Sequence, residues 1–158
     1  MTTINPYLTF NGTCEAAFNF YKSVFGGDFS FIGKFKEMPP NPDYPVAEAD
    51  KEKIMHVSLT ISKETILMGS DSSEAFGQAT VQGNNVSISI NTDSVEEVTR
   101  LYKALSQGGK IKMPLEKTFW GAYFGQFTDK FGIHWMVNCE LKEHKDFEAE
   151  HRKDGKSS

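Results

Sequence analysis

His56 lies in the run Ile54 to Ile61 (IMHVSLTI), whose strict alternation puts Met55, Val57, Leu59 and Ile61 on one face and Ile54, His56, Ser58 and Thr60 on the other. If the apolar face meets helices, His56 faces a cavity, where an imidazole can serve as acid, base or hydrogen-bond anchor. The alternative is a histidine that satisfies a backbone carbonyl or a neighbouring side chain. His134 has the parity of Met136 in a second strand-like run, Ile133 to Cys139, and is the other catalytic candidate. Two imidazoles without carboxylate company are a poor set for a divalent ion. Trp120 and Tyr123 flank a glycine-containing bend and suit a cavity mouth, where they would stack on a planar ligand; core filling is the competing reading. Asp71 ends the run LMGSD and Asp129 opens DKFG, and both read as turn caps. Neither Gly26-Gly27 nor Gly108-Gly109 precedes a Lys-Ser or Lys-Thr pair at a helix start, so they are helix stops and not phosphate loops. No GxSxG elbow is present, and no glycine-rich strand-to-helix turn of the kind that binds S-adenosylmethionine.

The elements that must position these residues come in two sets. Asn5 to Phe10 reads as a strand, followed by a helix with Asn11 or Thr13 as its cap. That helix carries an apolar stripe of Cys14, Ala17, Phe18, Tyr21, Val24 and Phe25. Phe29, Phe31 and Phe35 alternate as in a half-buried strand. The segment from Glu37 to Lys53 holds four of the six prolines, and reads as a long exposed loop of the functional or mobile kind. The strands Ile54 to Ile61 and Thr65 to Gly69 complete the first set. After a polar connector the order repeats. Val86 to Ile90 is a strand, and Ser94 to Glu97 fits a capping box at a helix with the stripe Val95, Val98, Leu101, Tyr102 and Leu105. The runs Lys110 to Met113, Tyr123 to Thr128 and Ile133 to Cys139 follow as strands. An offset of about 81 residues superposes Thr13 on Ser94, Tyr21-Lys22 on Tyr102-Lys103 and Gly27 on Gly108. The expected organisation is one domain over 1–140, with module one at 4–71, a connector at 72–84 and module two at 85–140. The charge-dense segment 141–158 reads as a solvated tail.

With 158 residues the chain has room for one well-buried core, and its thirteen phenylalanines suit either a Phe-packed core or an apolar cavity. A net charge of −4 argues against sequence-independent nucleic-acid binding. No stretch has the length of a membrane-spanning helix, the N-terminus lacks a signal-peptide pattern, and the expected location is cytoplasmic. Two distant cysteines, Cys14 and Cys139, form no framework and read as thiols.

The segments PYLTFNGTCEAAFNFYKSVFGG (6–27), MHVSLTI (55–61), LMGSD (67–71) and FWGAYFGQFTDKFGIHWMVN (119–138) together resemble the PhnB-like branch of the vicinal-oxygen-chelate superfamily. That superfamily includes glyoxalases, bleomycin-resistance proteins and dioxygenases, and the branch often carries the label 3-demethylubiquinone-9 3-methyltransferase. The resemblance implies an α+β fold of two paired βαβββ modules, curved into an open barrel-like sheet around a central cavity and often completed by a homodimer. It also implies metal ligands, His, Glu or Gln, on the inner strands. Here those positions fall on Pro6 or Tyr7, on Ser87 and Ser89, and on Met68 and Met136, which are not ligands for magnesium, manganese or zinc. The expectation is therefore no metal and no cofactor. The cavity would be lined by Tyr7, His56, Ser58, Met68, Ser87, Ser89, Trp120, Tyr123, His134 and Met136, and would bind a small aromatic or amphipathic molecule. Metal-dependent isomerase, lyase or transferase chemistry in the same cavity, and a role as a dimeric interaction protein, are the alternatives.

Overall fold

A computed structural model describes residues 1–73 and 79–141; the segment read as a tail lies outside the described residues except for Leu141. The chain forms two compact units, Met1–Gln82 and Gly83–Ser158, and the boundary falls inside the expected connector. In the first unit β1 (Tyr7–Phe10), α1 (Cys14–Phe25), β2 (Asp28–Lys34), β3 (Ile54–Thr60) and β4 (Ile66–Asp71) follow in chain order. The second repeats the series as β5 (Ile88–Thr92), α2 (Val95–Ser106), β6 (Lys110–Lys117), β7 (Ala122–Thr128) and β8 (His134–Glu140). The first sheet has the strand order β1-β4-β3-β2 and the second β5-β8-β7-β6. In each, the first strand runs parallel to the last and the other pairings are antiparallel. Both are βαβββ modules with mixed, open sheets, and neither sheet closes into a barrel.

Most of each helical stripe is buried; Val95, expected in the α2 stripe, is 45% exposed in the first turn, and Phe25 and Tyr102 are half-buried. Cys14, Ala17, Phe18, Tyr21 and Val24 are buried on α1, and Val98, Leu101 and Leu105 on α2. Burying a side chain such as Phe18 contributes roughly 1.5–3 kcal/mol. Phe18 lies so close to the sheet that a Cβ on Gly69 would come within 2.7 Å of its ring and 2.6 Å of the Leu8 carbonyl. Only glycine fits there. At the far end of α1, Gly26 and Gly27 take φ of 75° and 79°, the left-handed conformation that ends a helix.

Several expectations are corrected. The amides at the start of α1 are satisfied neither by Asn11 nor by Thr13, which makes no side-chain cap. Buried Asp71, at the end of β4, accepts hydrogen bonds from Gly12 N (2.8 Å) and Cys14 N (3.0 Å) through Oδ1, and from Ile54 N (2.9 Å) through Oδ2. Asn11 instead holds Thr80, donating to its carbonyl and accepting from its amide. At α2 only half of the capping box forms. Ser94 Oγ accepts from Glu97 N, while the Glu97 carboxylate pairs with Arg100. The first strand of module two is shifted two residues towards the C-terminus of the expected run. Phe35 leaves β2 for a 3-10 turn (Phe35–Glu37) and is buried there. Ile54, expected on the His56 face, is buried, because the register slips between Gly33 and Lys34 and inserts Met55 as an extra residue in β3.

Asp71 joins three segments through one carboxylate. The Asp71→Ala variant should lose roughly 3 kcal/mol of unfolding free energy in urea titrations, because three amides lose their acceptor. Asp71→Asn, which keeps one acceptor oxygen, should lose less. A loss below about 1 kcal/mol in the alanine variant would mean that water replaces the carboxylate.

Candidate functional site

Each sheet has one face against its helix and one face turned away. On the helix side of the first sheet lie Leu8, Gly69 and Val57, paired across the strands, with Gly69 directly under Phe18. The pleat therefore turns Tyr7, Met68 and Ser58 to the other side. These are direct cross-strand neighbours, and Phe31 extends the row as the partner of Ser58. Phe31 reaches this face through a bulge. The pairing shifts between Phe29, opposite Leu59, and Phe31, opposite Ser58, so the two phenylalanines part to opposite faces.

His56 stands over this row. Its ring is stacked with Tyr7 at 5.6 Å between centroids and tilted against Phe31 at 5.8 Å. Its Nδ1 shares a 3.1 Å hydrogen bond with the Tyr7 hydroxyl. Nε2 makes no hydrogen bond among the described residues. Tyr7 and Phe31 are each 48% exposed, so two aromatic rings flank an imidazole at an open surface. Gly33 makes room for the Phe31 ring, since a Cβ there would lie 3.0 Å from it.

The second sheet builds the matching row. Ser89 pairs with Met136, Met136 with Gln126, and Gln126 with Met113, and a bulge between Ile111 and Met113 recurs where β2 has its own. Register thus makes Tyr7 the counterpart of Ser89, one residue off the offset that aligns the helices, and Met68 that of Met136. Ser87 lies just ahead of β5 and is exposed. Tyr123 departs from the expected lining. It shares the pleat of Gly125 and Phe127, which pack on Tyr102 of α2, and so lies on the helix side. Trp120 stands on the β6–β7 turn beside Phe119, edge-on to Phe124 on the face away from the helix. Phe31 and Met113 were not placed on these rows from sequence because both reach them through bulges, and Gln126 joins its row by regular pairing with Met136.

His134 is engaged at both nitrogens. Nε2 lies 2.7 Å from the Gly83 carbonyl, which only accepts, so Nε2–H donates; in the neutral ring Nδ1 then accepts from the Thr128 hydroxyl at 2.8 Å. His134 pins the start of its unit and offers no free nitrogen. The turn-capping role of Asp129 holds, with Oδ1 accepting from Phe131 N and Ile133 N, and Oδ2 also accepting from Trp135 Nε1. Among the described residues no three His, Cys, Asp or Glu side chains cluster as metal ligands. No helix among them is long and apolar enough to cross a membrane.

Two βαβββ units of one topology, following one another along the chain, define a protein of the glyoxalase type. The chain belongs to the Glyoxalase/Bleomycin resistance protein/Dioxygenase superfamily, whose model matches residues 3–137. It is similar to protein YjdN of Escherichia coli, with 32% identity over 85% of this chain and 93% of that one. Among solved structures it resembles protein PA1353 from Pseudomonas aeruginosa, with 43% identity, 90% and 100% of the two chains covered and a TM-score of 0.77. The PhnB protein from Bacillus cereus, whose name carries the 3-demethylubiquinone-9 3-methyltransferase label, is 25% identical over 87% of this chain and 99% of that one, at a TM-score of 0.69.

Neither cysteine serves these rows as a nucleophile. Both are buried, and burial, with the Asp71 and Glu15 charges adding to it, pushes the Cys14 thiol far above its usual value. Native protein should consume almost no Ellman's reagent at mildly alkaline pH and two equivalents after denaturation in guanidinium. Rapid modification of native Cys14 would show that α1 opens readily.

Proposed function

We propose that this protein is a cytoplasmic, homodimeric binder of a small aromatic or amphipathic molecule, held on the helix-free sheet faces without the superfamily's divalent metal. The observation that carries the reading is the Tyr7–His56–Phe31 cluster. Two half-exposed rings supply flat apolar surface, and an imidazole between them supplies a directional polar contact. In the tautomer whose Nδ1 accepts from the Tyr7 hydroxyl, the proton sits on Nε2, where it can be donated to a carbonyl or phenolate oxygen of a ligand. Beside the cluster stand a hydroxyl and a thioether, Ser58 and Met68, and the row on the second sheet carries Ser89, Met136 and Gln126. Their softness and neutrality suit contact with a polarizable ring better than coordination of a hard cation.

The second reading, metal-dependent isomerase, lyase or transferase chemistry, draws on the same imidazole, because a histidine oriented by a tyrosine hydroxyl is equipped to move a proton. One set of measurements separates the two. In a thermal-shift screen of quinones and aromatic antibiotics, at least one compound should raise the melting temperature saturably, and His56→Ala or Tyr7→Ala should weaken it about tenfold. A screen without any stabilising compound would overturn the binding reading. Protein purified without chelator should contain no stoichiometric divalent ion; an ion that disappears in His56→Ala would favour the enzyme. Native mass spectrometry of the same sample should report a dimer.

A further inference from the structure

The loop between β2 and β3, set apart in the sequence by its prolines, is anchored firmly at its base. Phe35 N donates to the Lys53 carbonyl and Lys36 N to the Lys51 carbonyl, both at 3.1 Å, and a second 3-10 turn (Glu48–Asp50) closes the return. Buried Asp50 fastens that turn, accepting from Ser73 Oγ (3.2 Å) and pairing with Lys53 Nζ (2.8 Å). The chain between these anchors encloses a groove of about 540 Å³, within the ordinary range of small-molecule sites. Its walls are Phe35, Met38, Tyr44 and the loop's prolines. The lining contains no carboxylate, and its only charged side chains are Lys36 and Lys51. The backbone bond between these two residues brings the two chain segments that carry them together at the base of the loop. Lys36 Nζ pairs with Glu52 (2.7 Å) and Lys51 Nζ with Glu48, but these are exposed contacts, which a ligand can exchange at little cost.

From this geometry we propose a second ligand site, in the β2–β3 loop, for a planar aromatic anion, its ring between Tyr44 and the prolines and its carboxylate at Lys36 and Lys51. The apolar walls take the ring, and the ammonium groups of Lys36 and Lys51, exchanged from exposed Glu52 and Glu48, take the negative charge. The site draws on none of the residues of the Tyr7–His56–Phe31 cluster and stands whether or not that cluster binds a ligand.

The test is a titration of the isotope-labelled full chain with 2-naphthoate, followed by amide chemical shifts, with neutral 2-naphthamide as control. Saturable shifts should centre on Lys36, Tyr44, Val46 and Lys51. Tyr44→Ala and the double variant Lys36→Gln/Lys51→Gln should each weaken binding about fivefold or more, and the amide should bind more weakly than the acid by a similar factor. Because the three side chains are partly exposed, these variants should keep the parent spectrum elsewhere. Three results would overturn the proposal: no saturable shift in the loop, shifts confined to Tyr7, His56, Ser58 and Met68, or equal affinity for the acid and the amide.

Discussion

The first module depends on one buried carboxylate. Asp71 is the last residue of the closing strand, and its two oxygens gather amides from the β1–α1 turn and from the start of β3. Buried amides must find acceptors. A single acid that serves three of them fixes where the helix begins relative to the strands at the sheet centre. The position of Met68 follows from that, since it precedes Asp71 by three residues on β4 and sits between Tyr7 and Ser58. The same carboxylate, placed beside buried Cys14, helps keep that thiol protonated.

The second module solves the same problem differently. Three residues beyond Met136 stands Cys139, which accepts none of these amides, and α2 is capped from within its own segment by Ser94. Module one therefore draws its helix start from tertiary structure, and module two from local sequence. What the two share is the bulge in the second strand, which turns Phe31 and Met113 onto the helix-free face. A bulge costs local pairing but re-aims a side chain. Its recurrence at matching positions makes it part of the architecture of both faces.

The chemistry of those faces differs as well. Both carry a hydroxyl and a methionine, but the first sets two rings around an imidazole, while the second places Gln126 beside Met136, with Trp120 edge-on to Phe124 and His134 tied to Gly83 and Thr128. The two modules share the pleat and a methionine at the centre of the closing strand, and differ in the groups around it. The superfamily's model spans residues 3–137, and so both modules.

The sequence by itself determined the module order, the helical stripes, the glycine stops and the face on which His56 stands, because each of these follows from local periodicity and from conformations open only to particular residues. The resemblance carried by FWG and DKFGxxW named the superfamily. Other features required the folded chain. Strand alternation presumes a regular ladder, so the bulges that separate Phe29 from Phe31, and Ile54 from His56, were invisible to it. The cap on α1 comes from a residue 57 positions away from the amide it satisfies, beyond the reach of any local capping rule. The clamp on His134 likewise spans 51 residues. Long-range hydrogen bonds and register are properties of pairing between segments, and only the tertiary structure decides which segments meet.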